Sequence, residues 1–468
     1  MVGYMAYSCR LNAGFLLEKT RHHGGNTINQ KAMIYHYDFR YAIAKFLVSI
    51  ALKVNFRKMV YVGRKENVSK ERAVIFAPNH RNALLDALLV VYATYPLKQV
   101  VFLARADIFR QKVIAWMLRG MRIMPVFRMH DGKDNLNRNS EIFNNAARIL
   151  KHHNPIAIFP EARHNPRQSL LPLQKAVPRI VLPTEASCDF QLRSQVVPVS
   201  IYYRDISGFL SDVYITFGTP IEVSAYRDRY HENPMQAVNQ LRQEMETSLR
   251  SMVVDIQNDA FYDEYLHAID WNGDRIAGEV FSGSKDGFLQ ASLQIVKKMD
   301  ELFENNRFLF DAKITGFREA LAILKEEGLT TKDRIDQPSS RAVLSTRFAA
   351  LLLSAPLALF GFMNGIFPML IKKKLLSLFE DKQFIASVRY ASGLIFVPLF
   401  DLIQSLALGF ITQAWWLALA YFFAMPLTFY FALIWRKWLR SARRDLKVHR
   451  FAHRLPDRWK QVVALIHL

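Results

Sequence analysis

The sequence predicts an α/β protein with a mixed sheet flanked by helices, followed by a helical region and then by C-terminal membrane helices. Between Arg72 and about Tyr230, short apolar runs that end at polar turns alternate with helical patterns. Alternation of this kind is typical of a sheet with helices on its faces. Three later apolar runs, each roughly 20 residues or longer, are long enough to cross a membrane.

The strands and helices of the first region follow from these runs and their boundaries. Helical patterns occupy Ala83–Tyr95, Ile108–Arg119 and Glu141–His152. Gly120 suits a helix C-terminus and Ser140 suits an N-cap. In such a sheet the chemistry usually lies at the strand-to-helix loops. The predicted strands, each a short apolar run, are Ala73–Ala77, Val100–Ala104, Ile123–Phe127, Ile156–Phe159, Val196–Tyr203 and Val213–Phe217.

The composition indicates a folded protein with an anionic partner. A chain of 468 residues is expected to form two or three structural units. With 51% hydrophobic and 22% charged residues it can build a packed core, which argues against wholesale disorder. The formal net charge of +21 implies that nucleic acid, an anionic membrane surface or a phosphorylated substrate is a partner. Cys9 and Cys188 are the only cysteines, which excludes a disulfide framework and a multi-cysteine metal site.

The N-terminal part divides into a poorly defined extension and an amphipathic helix. Residues 1–32 are polar and contain no long apolar run, so no secretory signal is expected. Amphipathic patterning begins just after Met33, and we therefore expect Met33 to be a better start than Met1. Residues 33–60 are predicted to form a helix that either packs on the domain or lies in a lipid headgroup layer. Its apolar residues at helical spacing are Ile43, Phe46, Leu47, Ile50 and Val54.

Four further segments are predicted after this helix. Residues 61–230 form the α/β domain, and residues 231–340 form a helical region and a linker. Residues 341–436 form membrane-embedded helices, and residues 437–468 form a strongly basic tail. The three apolar runs of the membrane region are Phe348–Ile371, Tyr390–Ile411 and Ala414–Trp435.

Charges beside the apolar runs predict how the runs lie in a membrane. Three simple spans would put Lys372, Lys373 and Lys374 and the basic tail outside, against the tendency of Lys and Arg to stay on the cytoplasmic side. We therefore expect the first run, which proline and glycine interrupt, to enter the bilayer and return. The other two runs would form a hairpin that turns near Thr412 and Gln413. The first run is also long enough for an ordinary span, so both topologies stay open.

A histidine and an aspartate stand at the first strand-to-helix turn. His80 follows the strand Ala73–Ala77, and Asp86 comes six positions later. Six positions amount to about 600° of helix, so His80 is expected in the loop and Asp86 in the first turns of the helix. The carboxylate can bind one ring nitrogen while the other nitrogen takes a proton from a hydroxyl group. Alone the pair is weak evidence, because a single histidine is more often structural.

Two more polar clusters follow predicted strands. Glu161, Arg163 and His164 come just after the strand Ile156–Phe159. Arg128 follows another strand end, where a guanidinium can pair with phosphate oxygens in a fork geometry. Strand ends of this kind form the edge that usually holds a site. For either arginine taken alone, a solvated surface charge is the alternative.

The order of these motifs resembles the phospholipid/glycerol acyltransferase family, which includes glycerol-3-phosphate and lysophosphatidate acyltransferases. The family has four ordered blocks: a His and Asp pair, an apolar strand ending in Arg, Phe-Pro-Glu-Gly with a basic residue nearby, and a hydrophobic strand with a central Pro. The resemblance covers about residues 60–225 and implies the α/β fold of glycerolipid acyltransferases. The matching segments are His80 with Asp86, Met124–Arg128, Phe159–Ala162 and Val196–Val199.

Two departures from the family pattern affect the interpretation. Five residues separate His80 from Asp86 where four are usual, and the longer spacing favours the branch with glycerol-3-phosphate acyltransferases. Ala162 stands where Gly is usual, and His164 stands where the common pattern places Arg. Whether Arg163 or His164 meets phosphate is therefore left open.

The resemblance implies direct acyl transfer from a thioester to a hydroxyl group in phospholipid biosynthesis. His80 would take the proton of the acceptor hydroxyl, and Asp86 would orient His80. The donor would be acyl-CoA or acyl-carrier protein, and the acceptor glycerol 3-phosphate or 1-acylglycerol 3-phosphate (lysophosphatidate). No metal and no cofactor are expected. The residues that would hold the acceptor and its phosphate are Arg128 with Glu161, Arg163 or His164.

Two alternatives remain at this point. The acceptor could be another lysophospholipid or an amino lipid, because the four blocks do not separate these. The chain could instead be a catalytically inactive basic protein that binds membranes. Nucleic acid is not expected, because the basic residues concentrate beside the membrane runs, where anionic lipid explains them. We expect the protein in a bacterial inner membrane with its catalytic domain in the cytoplasm, and an intracellular eukaryotic membrane is the alternative.

Overall fold

The described part of the chain forms a mixed α/β sheet, a helical region and an apolar helical bundle, which confirms the predicted fold class. The sheet has eight strands, and helices cover both of its faces. The computed structural model describes residues 39–94, 99–105, 109, 120–126, 134–377 and 385–468.

Most strands of the sheet end at the same edge. Strands β6, β2, β5, β3 and β4 are neighbours in this order and run parallel to one another. Strand β7 is antiparallel to β6, β1 lies beyond β7 and parallel to it, and β8 is antiparallel to β6. The strands are β1 Phe56–Val62, β2 Val74–Pro78, β3 Val101–Arg105, β4 Ile123–Val126, β5 Ile156–Ala157, β6 Gln195–Tyr203, β7 Ser211–Phe217 and β8 Ile221–Glu222.

Each face of the sheet has its own hydrophobic core, because successive strand residues point to opposite faces. In β2, Ile75 packs with the core that contains α4, α5 and α7, whereas Phe76 packs with the core that contains α1 and α3. Both side chains are almost fully buried. The helices of this domain are α1 Phe39–Asn55, α2 Arg64–Asn67, α3 Ala83–Ala93, α4 Asp134–Lys151, α5 Ala176–Ala186, α6 Arg227–Glu232 and α7 Pro234–Arg250.

The helix predicted for residues 33–60 extends only to Asn55, and the strand β1 that follows was not anticipated. Phe56 and Val60 are buried, and β1 pairs with β7, which lies far away in the sequence. No local sequence pattern predicts this pairing. Helix α1 packs on the domain through Leu52, yet it leaves large apolar side chains such as Phe46 exposed. The predicted extension 1–32 and, apart from Phe109, the predicted helix Ile108–Arg119 lie outside the described residues.

The predicted basic tail is part of two ordered helices. Helix α14 is continuous from Trp415 to Arg454, and α15 covers Pro456–Ile466. Phe451 and Ile466 are buried against the helical region, because apolar residues recur at helical spacing among the basic ones. The helices of that region are α8 Tyr262–Glu279, α9 Gly287–Asn305 and α10 Arg307–Glu326.

The predicted membrane helices are confirmed as three helices long and apolar enough to cross a membrane. They are α11 Arg341–Asn364, most of α13 Ile385–Thr412, and the first part of α14. A shorter helix, α12 Ile366–Ser377, lies between α11 and α13. From Arg389 to the end of α13 the helix is about 35 Å long, enough for a hydrocarbon core of about 30 Å.

The chain reverses direction at Asn364 and Gly365, within the first apolar run. Gln404 Nε2 donates to Asn364 O at 3.0 Å, and the ring of Phe367 stacks on that of Phe400 at 5.7 Å between centroids. These contacts make α12 antiparallel to α13. The turn is bound from α14 as well, because the Tyr421 hydroxyl donates to Asn364 Oδ1 at 2.7 Å. Helices α11 and α12 therefore run antiparallel to each other, and the predicted return of this first apolar run within the bilayer stays a prediction.

Candidate active site

The candidate site lies at the edge where the parallel strands β2, β5 and β6 end. His80 comes two residues after Pro78, the last residue of β2. Asn79 ties this loop to β6, because Ile201 N donates to Asn79 Oδ1 at 2.7 Å and Asn79 Nδ2 donates to Ile201 O at 3.3 Å. The side-chain amide of Asn79 thus fixes the loop that carries His80 to the neighbouring strand through two hydrogen bonds to one residue.

His80 and Asp86 form a hydrogen-bonded pair, with His80 in the loop and Asp86 in the first turn of α3. The distance from His80 Nδ1 to Asp86 Oδ2 is 2.9 Å. The Asp86 carboxylate is fully buried, whereas the His80 side chain is 15% exposed. Among the described residues Nε2 has no hydrogen-bond partner, so this nitrogen is free to accept a proton from a ligand.

The Asp86 carboxylate is held by three donors besides His80. Its Oδ2 accepts from the backbone N–H groups of Arg81 and Asn82, each at 2.7 Å. Its Oδ1 accepts from the Tyr203 hydroxyl at 2.6 Å. Burial, and after it the negative charge of Asp86, raises the pKa of Tyr203 well above its usual range, so the phenol keeps its proton and donates. These bonds satisfy a buried carboxylate and fix its orientation toward His80.

The imidazole plane is set by two aromatic neighbours. The Phe159 ring stacks on the His80 ring at 3.9 Å between centroids and 18° between planes. His164 meets the same ring edge-on at 5.6 Å. The His80 backbone is fixed as well, because Asn165 N donates to His80 O at 2.7 Å. His80 is therefore oriented by ring contacts, by its backbone and by Asp86.

Glu161 joins the His80 loop to the following loop. Its Oε1 accepts from His80 N at 2.7 Å, and its Oε2 accepts from Leu171 N at 2.9 Å. Burial raises the pKa of Glu161 to about 7, and the two backbone N–H groups oppose this rise only in part. Both of these hydrogen bonds are to backbone N–H groups, so Glu161 positions the His80 loop, and its predicted contact with substrate stays a prediction.

The remaining residues of this loop differ in their surroundings. His164 lies against His80, whereas Arg163 is exposed. Ala162 has a φ of 57°, in the left-handed region that favours glycine. This conformation explains why glycine is usual at this position of the family pattern. Which of Arg163 and His164 meets phosphate stays a prediction.

Arg128 lies outside the described residues. Strand β4 ends at Val126 and runs in the same direction as β2, so the chain leaves β4 at the edge that carries His80. This placement of the backbone agrees with the edge predicted for Arg128. Its role as a phosphate ligand stays a prediction.

Sequence reasoning missed two buried residues of the site. Tyr203 ends β6 and reaches Asp86, and its place at the end of a strand beside β2 was the available signal. Arg81 follows His80 but points inward, and its Nη2 donates to Pro166 O at 2.7 Å. Burial lowers the pKa of Arg81, and its Nε and Nη1 have no hydrogen-bond partner in the described part of the chain.

The start of α13 docks on the candidate site. Ser387 Oγ donates to Asn82 Oδ1 at 3.2 Å in a buried contact, and the Tyr390 hydroxyl donates to Val48 O at 3.0 Å. Because the backbone of Asn82 also binds Asp86, the apolar bundle is linked to the His80 loop through one residue. The part of the chain that the structure describes contains no group of three or more His, Cys, Asp or Glu side chains that could hold a metal ion.

One segment of the chain matches a known protein family. Residues 59–202 match the family model Acyltransferase, which confirms the resemblance found in the sequence for that segment. Glycerol-3-phosphate O-acyltransferase 2 of Saccharomyces cerevisiae (strain ATCC 204508 / S288c) is 30% identical over 115 residues, which are 24% of this chain and 15% of the yeast protein. The chain thus matches only a small part of that relative's length.

A solved structure is similar to the chain as well. It is the 1-acyl-sn-glycerophosphate (LPA) acyltransferase PlsC from Thermotoga maritima, with a TM-score of 0.33 and 17% sequence identity. The similarity covers 49% of this chain and 88% of the Thermotoga protein.

Proposed function

We propose that the protein transfers a fatty acyl group from acyl-CoA or acyl-carrier protein to a hydroxyl group of glycerol 3-phosphate or 1-acylglycerol 3-phosphate. The observation that carries the proposal is the pair of His80 and Asp86 at the sheet edge, inside the segment that matches the Acyltransferase family. The similarity to a yeast glycerol-3-phosphate O-acyltransferase supports glycerol 3-phosphate as an acceptor.

In the proposed reaction His80 acts as the general base. Nε2 takes the proton of the acceptor hydroxyl as its oxygen attacks the carbonyl carbon of the thioester. The resulting tetrahedral intermediate collapses with cleavage of the carbon–sulfur bond, and the thiolate leaves with the proton that His80 held. Asp86 stabilises the imidazolium form between these steps, since its Oδ2 is 2.9 Å from Nδ1. The products are an ester and a thiol, and the chemistry requires no metal or cofactor.

The proposed acceptor is anionic, and cationic groups support its binding at the same edge. Arg128 follows β4, and Arg163 and His164 follow the β5 loop. A guanidinium binds phosphate oxygens in a fork geometry that an ammonium does not offer. We assign the phosphate to Arg128 with one of the two β5-loop residues.

The proposed location is a membrane, with the α/β domain on the cytoplasmic side of a bacterial inner membrane. The three apolar helices support membrane association. The contact of α13 with Asn82 brings the candidate site next to the bundle, where an acyl chain or a lipid acceptor would be found. The proposed partners are therefore the acyl donor, the phosphorylated acceptor and membrane lipid.

The test is an acyl transfer assay with purified full-length protein. Palmitoyl-CoA or palmitoyl-acyl-carrier protein is supplied with either glycerol 3-phosphate or 1-acylglycerol 3-phosphate, and the lipid product is quantified. We expect transfer to at least one acceptor, and His80→Ala should lower turnover by roughly 10²–10⁴-fold because it removes the general base.

His231→Ala is the matched control, because His231 is exposed on α6, away from the sheet edge. It should retain the activity of the unaltered protein. Absence of transfer to either acceptor would favour another lysophospholipid acceptor or a non-catalytic membrane protein. Near-normal turnover of the His80 variant would remove His80 from the mechanism.

A further inference from the structure

A group of cationic side chains lies where the α/β domain meets the apolar bundle, outside the candidate active site. We call Lys372 of α12, Arg389 of α13 and Arg436 of α14 the junction cluster. Arg389 donates from Nη1 to Ser207 O and from Nη2 to Gly208 O, the latter at 3.1 Å. These bonds fix its guanidinium on the loop between β6 and β7.

The end of the apolar part of α14 meets the same loop. Lys437, the residue after Arg436, donates from Nζ to Phe209 O at 3.3 Å and to Leu210 O. The rings of Phe209 and Tyr430 add an edge-on contact at 6.4 Å between centroids. Arg389 and Arg436 are therefore brought to one level of the bundle by a single loop of the catalytic domain.

Because the chain reverses direction at Asn364, α12 runs back along α13 toward the level of Arg389 and Arg436. Asn364 is bound to Gln404 and Phe367 stacks on Phe400, so along this antiparallel register Lys372 lies within about two helical turns of Arg389. The positive charges of Arg389 and Arg436 both act on Lys372. Among the described residues none of the three forms an ion pair. Asp205 is the carboxylate whose charge acts on Arg389, and it forms its ion pair with Lys332, at 3.5 Å. The buried Nε of Arg389 also has no hydrogen-bond partner there.

Three like charges that lie close together repel one another, and a bound anion would offset that repulsion. The position of the junction cluster indicates the chemical class of this anion. Trp435 and Trp438 flank Arg436 where the apolar part of α14 ends, and tryptophan is enriched at the level of lipid headgroups. Arg389 lies two residues after Ser387, which contacts Asn82 of the catalytic loop.

We propose that the junction cluster binds the phosphate group of a phospholipid in the leaflet that faces the α/β domain. The lipid would lie beside the loop that carries His80, with its acyl chains along the apolar surface of α12, α13 and α14. Exposed apolar side chains such as Phe367, Leu370 and Ile395 line that surface. This inference does not depend on the proposed acyl transfer, because the junction cluster lies outside the candidate active site. Phosphatidate bound at that site, as the product of transfer to 1-acylglycerol 3-phosphate, would be unaffected by changes to the cluster.

The test measures lipid binding directly. Full-length protein in a neutral detergent is mixed with equal amounts of phosphatidate and phosphatidylcholine, and bound lipids are counted by native mass spectrometry. The double variant Lys372→Ala/Arg436→Ala should bind phosphatidate about thirtyfold more weakly, because each cation near an anionic headgroup contributes roughly fivefold. Arg389 is left unaltered because its bonds hold the loop.

The matched control is Lys374→Ala/Lys460→Ala, which removes the same net charge from exposed positions on α12 and α15. It should bind phosphatidate as the unaltered protein does. Equal affinity of both double variants would overturn the proposal. Displacement of phosphatidate by millimolar inorganic phosphate would overturn the assignment to a lipid and identify a site for a free anion.

The single variants Lys372→Gln and Arg436→Gln keep the test decisive if the double variant does not fold. Each should weaken phosphatidate binding by about fivefold. Unchanged affinity in both would contradict the proposal as clearly as the double variant does.

Discussion

Removing the Tyr203 hydroxyl should weaken catalysis without removing any group that touches substrate. Tyr203→Phe deletes the donor that lies 2.6 Å from Asp86 Oδ1 and leaves the three donors on Oδ2 in place. A hydrogen bond to a charged group contributes about 1.5–3 kcal/mol. If that whole contribution acts in the transition state, kcat falls roughly 10–150-fold, and a partial contribution gives less.

The split between kcat and KM separates a positioning role from a general loss of stability. Without the Tyr203 bond, Asp86 Oδ1 has no donor to fix it, so the carboxylate orients His80 less firmly. The loss should therefore appear in kcat. KM for both substrates should change little, because Tyr203 is buried behind Asp86.

Tyr202→Phe is the control. Tyr202 is equally buried at the neighbouring position of β6, but it faces the opposite side of the sheet and contacts Ser292 Oγ at 3.3 Å. It should retain the kcat of the unaltered protein. Equal losses in the two variants would show a structural effect, and an unchanged kcat for Tyr203→Phe would refute the link between Tyr203 and His80.

Three other predictions test the loop, the bundle and the topology. Glu161 has a pKa near 7 in the fold against an ordinary value of 4.5, so its contribution to stability is full below pH 4.5 and falls by about 3 kcal/mol as the pH rises to 7. The Tm of the unaltered protein should therefore fall faster between about pH 5 and 7 than that of Glu161→Gln, and parallel curves would contradict this reasoning. Gly361→Ala should destabilise the bundle by about 1–3 kcal/mol, because the added methyl group meets the backbone of Thr428. Gly393→Ala adds the same group to open space, and a similar drop in Tm for both would argue against the α11–α14 contact. In sealed cells, an impermeant thiol reagent should label a cysteine at position 413 of a cysteine-free variant, whereas labelling at 373 and 440 instead would restore three simple spans.

The sequence predicts the parts of this fold whose pattern is local. The strands β2, β3 and β4 and the loop position of His80 follow from short apolar runs with polar ends. Strand β1 could not be predicted from such a run, because it exists only through pairing with β7, a strand about 150 residues later in the chain. Local periodicity carries no information about such a partner.

The candidate site shows the same division. His80 and Asp86 are six residues apart, and their pairing follows from a loop next to a helix. Tyr203 is 117 residues from Asp86, so its contact depends on β6 lying beside β2. Glu161 was found as a polar residue after a strand, but its inward orientation depends on the N–H groups of two loops.

The contact between the apolar bundle and the His80 loop joins residues that are farther apart in the sequence than any of these pairs. It bears on the role of the bundle. Ser387 is 305 residues from Asn82, and the hydrogen bond between them is buried. Asn82 in turn donates its N–H to Asp86, which holds His80. A helix that served only as an anchor would need no buried bond to the loop that carries His80. The order of the candidate site therefore depends on how α13 packs on the α/β domain, and we expect a displacement of the bundle to change the geometry of His80.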